Sequence, residues 1–305
     1  MSAEMVREEA RERNRATAAS RRPQAALSSL GTHGCMVAAA LFFLVPIIFM
    51  VVGSVKPEKV IFDDLRTLVG AFVPNQATLD NYAAIFDRVP VPRFIFNSLF
   101  ITTSTVLMGL VVNSMLAFTM ARMRWRGRGL VLMAVLALTI VPIEAIAVPP
   151  LVLVNDLPWI DGSPSWLNSL HVQIIPFVAD AFSIFLFYQF FVGIPRDFDE
   201  AAMIDGAGFF SIYRRIVVPM SKPVFATVAI LQSVAMWNSY LWPLMVTRSF
   251  DVRPLTIGIT AFYTLNIRWG QVLAFATVVT IPIIIIFLVF QRWFIRSVMS
   301  SGIKG

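Results

Sequence analysis

The sequence predicts an all-α integral membrane protein with six transmembrane helices, both termini in the cytoplasm (N-in/C-in), and a short cytoplasmic helix between spans four and five. Three observations lead there. Of the 305 residues, 57% are hydrophobic and 14% are charged, at a mean hydropathy of +0.74. An ordinary soluble domain carries roughly 25% charged residues, which excludes a soluble single-domain enzyme. The apolar residues come in long blocks rather than in alternation, the pattern that lipid demands. Lys and Arg, finally, are divided unequally among the loops between those blocks.

Residues 1–34 are polar and rich in Arg and Glu, with pairs such as Glu9/Arg13 and Glu8/Arg11 at helical spacing. With almost nothing apolar to bury, this stretch is expected to be a frayed cytosolic tail. Six apolar blocks follow at roughly 35–55, 94–121, 129–151, 172–192, 223–247 and 271–291, each near the ~20 residues that a spanning helix needs. The first lacks a small-residue cleavage site and ends at Ser54-Val55-Lys56-Pro57, as a retained anchor does. Cys35 is the single cysteine, which excludes an intrachain disulfide framework. Two distant histidines, His33 and His171, leave little for a metal site. Trp159, Trp166, Trp242 and Trp269 fall near predicted span ends, where most are expected to be interfacial anchors.

Six spans place both termini on one side, and charge chooses the side. The tail, the 122–128 turn, the 193–222 loop and the C-terminal end together hold 17 Lys and Arg, against 8 in the opposite loops. By the positive-inside rule the first set is cytoplasmic. The net charge of +7 then follows from topology and requires no nucleic-acid partner.

The 193–222 loop carries the most specific signal. It contains Pro195-Arg196-Asp197-Phe198-Asp199-Glu200-Ala201-Ala202-Met203-Ile204-Asp205-Gly206-Ala207-Gly208, then Ile216 and Pro219. Asp197 is expected as an N-cap, with Glu200 completing a capping-box pair. Acidic residues at 197, 199 and 200 suit the positive end of a helix dipole. Gly206 is expected to close the helix in a left-handed conformation, and a second short helix from about Phe209 to stop before Pro219. The small alanines of the first helix let another protein's groove come close.

Glu200-Ala201-Ala202, Asp205-Gly206-Ala207, Ile216 and Pro219 at this spacing resemble the EAA loop of ABC importer permeases. Asn81-Tyr82, Phe96-Asn97-Ser98-Leu99, Ala117 to Arg122, Trp237-Asn238 with Pro243, and the tail from Gln291 to Gly305 resemble the maltose-permease-like branch of the binding-protein-dependent transport family, whose members are carbohydrate importers. The likeness runs from about residue 36 to the last residue. Gly208 departs from it, standing where the family usually has Ser or Thr.

The resemblance implies an inner-membrane permease of a prokaryote, with a six-span domain over 35–299 and a cytosolic tail over 300–305. Glu200, Ala201, Ala202, Asp205, Gly206, Ala207 and Pro219 would form the coupling helix and its surroundings, which dock on a cytoplasmic ABC ATPase dimer. Gly302 and Lys304 would reach that dimer from the C-terminal tail. The chain has no G-x-x-x-x-G-K-[ST] phosphate loop, so ATP and Mg would be bound by the partner ATPase and no cofactor by this chain. A second homologous permease, an extracytoplasmic sugar-binding protein and alternating access complete the picture.

Ionisable groups within spans are functional candidates. Glu144 lies among Pro142, Pro149 and Pro150, which suggest a broken helix beside a water-filled cavity, and Asp180 lies in span four. Each can hydrogen-bond sugar hydroxyls or pair with a neighbouring backbone. Trp237, Asn238 and Tyr240 suit either a sugar path or helix packing, and Gly109, Asn113 and Ser114 suit close helix approach and interhelical bonding. No residue types point to catalysis or metal binding. A permease for a polyol or glycerophosphate-type solute is the nearest alternative. An ion-coupled secondary transporter would leave the capped loop unexplained.

Overall fold

The computed structural model of the protein describes residues 32–263 and 266–301, and among these every regular element is helical. The first half contains α1 (Thr32–Ser54), α2 (Leu68–Phe72), α3 (Asp80–Arg88), α4 (Val91–Arg122), α5 (Arg128–Leu138), α6 (Ile143–Ile146) and α7 (Val148–Asp156). The second contains α8 (Ala181–Val192), α9 (Asp197–Ile204), α10 (Phe209–Met220), α11 (Lys222–Trp237), α12 (Leu241–Val246), α13 (Leu255–Gly258) and α14 (Trp269–Ser301). Residues 1–31, Gly302 and Lys304 lie outside the described residues.

Four stretches are long and apolar enough to cross a membrane: α1, α4, His171–Val192 and Trp269–Leu288. The pair α10 and α11, bent by 79°, makes up to five. The blocks expected at 35–55, 94–121 and 271–291 thus become continuous helices, while the other three are broken. Over 129–151 the chain forms α5, α6 and part of α7, with Thr139 to Pro142 outside the helices. Pro142 is extended at ψ 138°, so the expected break at this proline is present. Over 172–192 the first half is two 3-10 turns, His171–Gln173 and Ile175–Phe177, and the α-helix begins only at Ala181. Over 223–247 the helix stops at Trp237 and resumes at Leu241.

α4 packs against α8 and α11, and α14 packs against α11 and α3. Two cores result. One, at the Arg122 end of α4, gathers Ala117, Phe118, Phe187, Phe191, Ile212 and Val228. The other, at the Val91 end, gathers Ile85, Phe94, Trp237, Phe262 and Phe275. Gly109 allows the close crossing of α4 and α11, because a Cβ there would stand 2.6 Å from the Gln232 amide. α1 is exposed from Thr32 to Ile48, and Phe42 and Phe43 lie open, as expected of a helix whose solvent is lipid.

The loop between α1 and α4 is a folded cap. Lys56 is buried, pairs with Asp64 at 3.1 Å and donates to the Gly70 carbonyl. Asn81 Nδ2 donates to the carbonyls of Ser54 (2.9 Å) and Lys56 (2.8 Å). Both Glu58 carboxylate oxygens accept from the first amides of α14, Trp269 and Gly270, at 2.8 Å each. A carboxylate on those orphan donors, at the positive end of the helix dipole, fastens the cap to α14. Glu58→Ala is expected to cost about 1–2 kcal/mol, the worth of a helix cap plus a dipole contact, read as an earlier thermal unfolding of the detergent-solubilised protein.

Candidate functional site

The segment between α8 and α11 is built as two helices meeting at a glycine corner. α9 ends in a left-handed Gly206 at φ 80°, where an added Cβ meets nothing within 4 Å. The Gly206 amide donates to Met203 O (3.0 Å) and the Ala207 amide to Ala202 O (2.9 Å), the two bonds of a Schellman closure. This is the expected left-handed end. The expected start is displaced: Arg196 occupies the N-cap position, and Asp197 is the first helical residue with no capping bond from a side chain. The acidic residues 197, 199 and 200 still occupy the first turn, so the dipole argument holds without the capping box.

The second helix begins after Gly208, which sits at its N-cap with extended backbone (ψ 165°). It does not stop before Pro219 but runs to Met220, through a π-helical stretch at Tyr213–Val217. A proline lacks the amide that a helix interior uses, and the widened turn just before it lets the helix pass Pro219. Tyr213 anchors this helix: its hydroxyl lies 2.7 Å from Ser114 Oγ and its ring meets Phe118 edge-on at 5.3 Å.

The corner divides its residues between two faces. Ala202 and Ala207, partly buried, pack against the bundle core. Glu200, Ala201, Asp205 and Pro219 are exposed. Around them Phe198, Met203, Ile204, Phe209 and Phe210 stand open, with Ile204 86% exposed at the tip. Exposed apolar side chains gathered in this way are a feature of protein and membrane contact surfaces, and the pairs Met203-Ile204 and Phe209-Phe210 on either side of the glycine were their signal in the sequence. Asp199 alone of the three acids turns inward. It pairs with Arg122 at the end of α4 at 3.1 Å, both buried, and Arg122 Nη2 donates to Ile194 O at 2.8 Å.

The candidate path residues are carried by three different elements. Glu144 is exposed on α6, after the break in the third apolar block. Asp180 is the N-cap of α8, its Oδ2 accepting from the Ser183 amide at 2.7 Å. Its own amide donates to Asn113 Oδ1 (3.0 Å), and Asn113 Nδ2 donates to Val178 O (3.0 Å). One amide side chain of α4 thus satisfies both sides of the break in span four, the interhelical role expected of Asn113. Trp237 is 2% exposed and donates to Val279 O at 3.3 Å, so it packs helices and does not face a path in this structure. Asn238 and Tyr240 are exposed at the break after α11. Trp242 is also buried, donating to Val172 O at 3.0 Å, and is not the interfacial anchor its position suggested. Trp159 and Trp166 cluster with His171, Trp159 stacking on the imidazole at 3.9 Å.

Residues 106–300 match the family described as "Binding-protein-dependent transport system inner membrane component". Among curated relatives, the arabinooligosaccharides transport system permease protein AraQ of Bacillus subtilis is 32% identical over 269 residues, 87% of this chain and 92% of the relative. The trehalose/maltose transport system permease protein MalG of Thermococcus litoralis is 29% identical over 273 residues, 87% and 93% respectively. A crystal structure of a bacterial ABC transporter involved in the import of the acidic polysaccharide alginate shares the fold, with a TM-score of 0.74 at 21% identity over 88% of this chain and 96% of that one. The chain therefore belongs to the family of binding-protein-dependent transport system inner membrane components: it is a multi-pass inner-membrane permease subunit of ABC type, a transport component and not an enzyme.

Proposed function

We infer that the chain forms, with a second homologous permease, the translocation path for a di- or oligosaccharide, opened by alternating access. The observation that carries this reading is the corner at Gly206, a Schellman-closed turn that presents Met203, Ile204, Phe209 and Phe210 to solvent. Such a tip fits a cleft in a cytoplasmic ABC ATPase dimer, which binds and hydrolyses ATP with Mg. Glu200, Ala201, Asp205 and Pro219 flank the contact. Gly302 and Lys304 are assigned to the same partner from the C-terminal tail. An extracytoplasmic binding protein delivers the solute, in keeping with the family's description.

The sugar class is supported by the transport functions that the relatives' names state and by the absence of Lys or Arg from the middles of the apolar blocks. Six spans with both termini inside remain the topology that fits best. α5 with α6 and α7 supplies the broken third span, and the division of 17 against 8 basic residues orients the bundle.

Gentle solubilisation and co-purification from the native membrane test the reading: an ATPase and a second multi-span permease are expected with this chain. A chain that purifies alone and transports without ATP overturns it. Glu144 is assigned to the solute path. Glu144→Gln is expected to raise the half-saturating solute concentration about threefold, the worth of one hydrogen bond, and unchanged uptake kinetics reduce Glu144 to a structural role.

A further inference from the structure

We propose that the buried Arg122–Asp199 ion pair is the joint through which the coupling segment moves α4, and with it the loop at 250–255, which makes Arg122 a positioning residue for transport. The inference rests on the permease reading above and adds the route that motion takes through this chain.

Segment 194–220 is fastened to α4 at two places. At the end of α4, Arg122 pairs with Asp199 at 3.1 Å and donates to Ile194 O at 2.8 Å. Eight residues earlier on the same helical face, Ser114 meets the Tyr213 hydroxyl at 2.7 Å. Among the described residues the other two ion pairs, Lys56–Asp64 and Arg66–Asp63, both lie within the loop after α1. Arg122–Asp199 is thus the ionic link between a helix of the bundle and the coupling segment. Separating its partners would strand a buried charge on each side, which is strongly unfavourable. A displacement of α9 is therefore carried by α4.

The far end of α4 is fastened as well. Asn97 Nδ2 donates to the carbonyls of Asp251 (2.8 Å) and Arg253 (2.9 Å), and Arg93 Nε donates to Asp251 O (3.1 Å). Ser98 Oγ accepts from the Leu255 amide at 2.7 Å. Midway, Asn113 holds the break in span four. One continuous helix joins the coupling segment, the half-helix α8 and the 250–255 loop, an arrangement with a discrete element for both ends to bias.

Replacing a buried ion pair with apolar residues of similar size often leaves a fold intact or steadier, so Arg122→Met combined with Asp199→Leu removes the joint while keeping the packing. The complete complex, with partner permease, ATPase and binding protein, is placed in nanodiscs in a Cys35→Ser, Asp251→Cys background. Labelling of the introduced thiol by a membrane-impermeant maleimide is timed without nucleotide and with Mg-ATP and vanadate. With Arg122 and Asp199 present, the rate is expected to change about fivefold or more between the two states, a common size for coupling between sites. In the double variant the complex still co-purifies and the rate no longer follows nucleotide. Arg122→Lys, which keeps the charge and loses the second bond to Ile194, is expected to show a reduced response. A full response in whichever of these variants assembles overturns the joint. A loop that ignores nucleotide with Arg122 and Asp199 intact overturns transmission along α4 and leaves the permease reading standing. Absence of an ATPase from the purified complex overturns that reading itself.

Discussion

Gly206→Val is expected to uncouple ATP hydrolysis from uptake while the chain still inserts in the membrane. The backbone at this corner sits at φ 80°, a region that costs an L-residue about 1–2 kcal/mol and a β-branched one more. Nothing crowds the position, since an added Cβ finds open space, so the whole effect is backbone strain. The chain relieves it by abandoning the left-handed turn. That breaks the Gly206–Met203 and Ala207–Ala202 bonds and swings Met203 and Ile204 away from Phe209 and Phe210. A strain of about 1–2 kcal/mol shifts a two-state population about 5–30-fold, and uptake per ATP hydrolysed in proteoliposomes is expected to fall by a similar factor. Gly206→Asn is the control, because asparagine is the side-chain-bearing residue most at ease in that conformation. Normal coupling in the valine variant would remove the corner from the mechanism.

Arg122→Met alone is expected to be the most destabilising single substitution at the Arg122 end of the bundle. It leaves Asp199 buried beside methionine, and removing one partner of a buried pair typically costs about 3–5 kcal/mol. The measurement is thermal unfolding of the solubilised chain, with Asp199→Leu added as the second site. The single variant should melt well below the unmodified protein and the double should recover most of the loss. A single variant as stable as the double would mean that the Asp199 carboxylate reaches water.

The sequence made some of this architecture legible and hid other parts, for physical reasons. Continuous apolar runs located α1, α4 and α14, because lipid constrains every residue of a span in the same way. Pro142 announced the break in the third apolar block. The break before α8 was missed although Pro176 stands in it, because the apolar run continues through the 3-10 turns at 171–177. Its carbonyls are satisfied from α4 and α11, by Asn113 and Gln232, partners that no local pattern reveals. Between α8 and α11 the glycine corner was legible, since a left-handed position has a residue signature. Which acid faces inward was not. Residues 197, 199 and 200 are equivalent to a helix dipole, and Asp199 is distinguished only by Arg122, 77 residues earlier in the chain. Trp237 and Trp242 drew attention as ligand or interface candidates by composition, and the fold spends both on packing.

The length of α4 carries a consequence of its own. From Asn97 to Arg122 the helix rises about 37 Å at 1.5 Å per residue, more than the ~30 Å hydrocarbon thickness of a typical bilayer. The two polar fastenings therefore sit in or beyond the headgroup layers whenever the helix stands upright, and tilting brings them toward the acyl chains. Lipids with shorter tails favour a tilted helix and longer ones an upright helix. Acyl-chain length thereby becomes an external setting on the angle of α4, and the angle is shared by whatever is bolted to each of its ends.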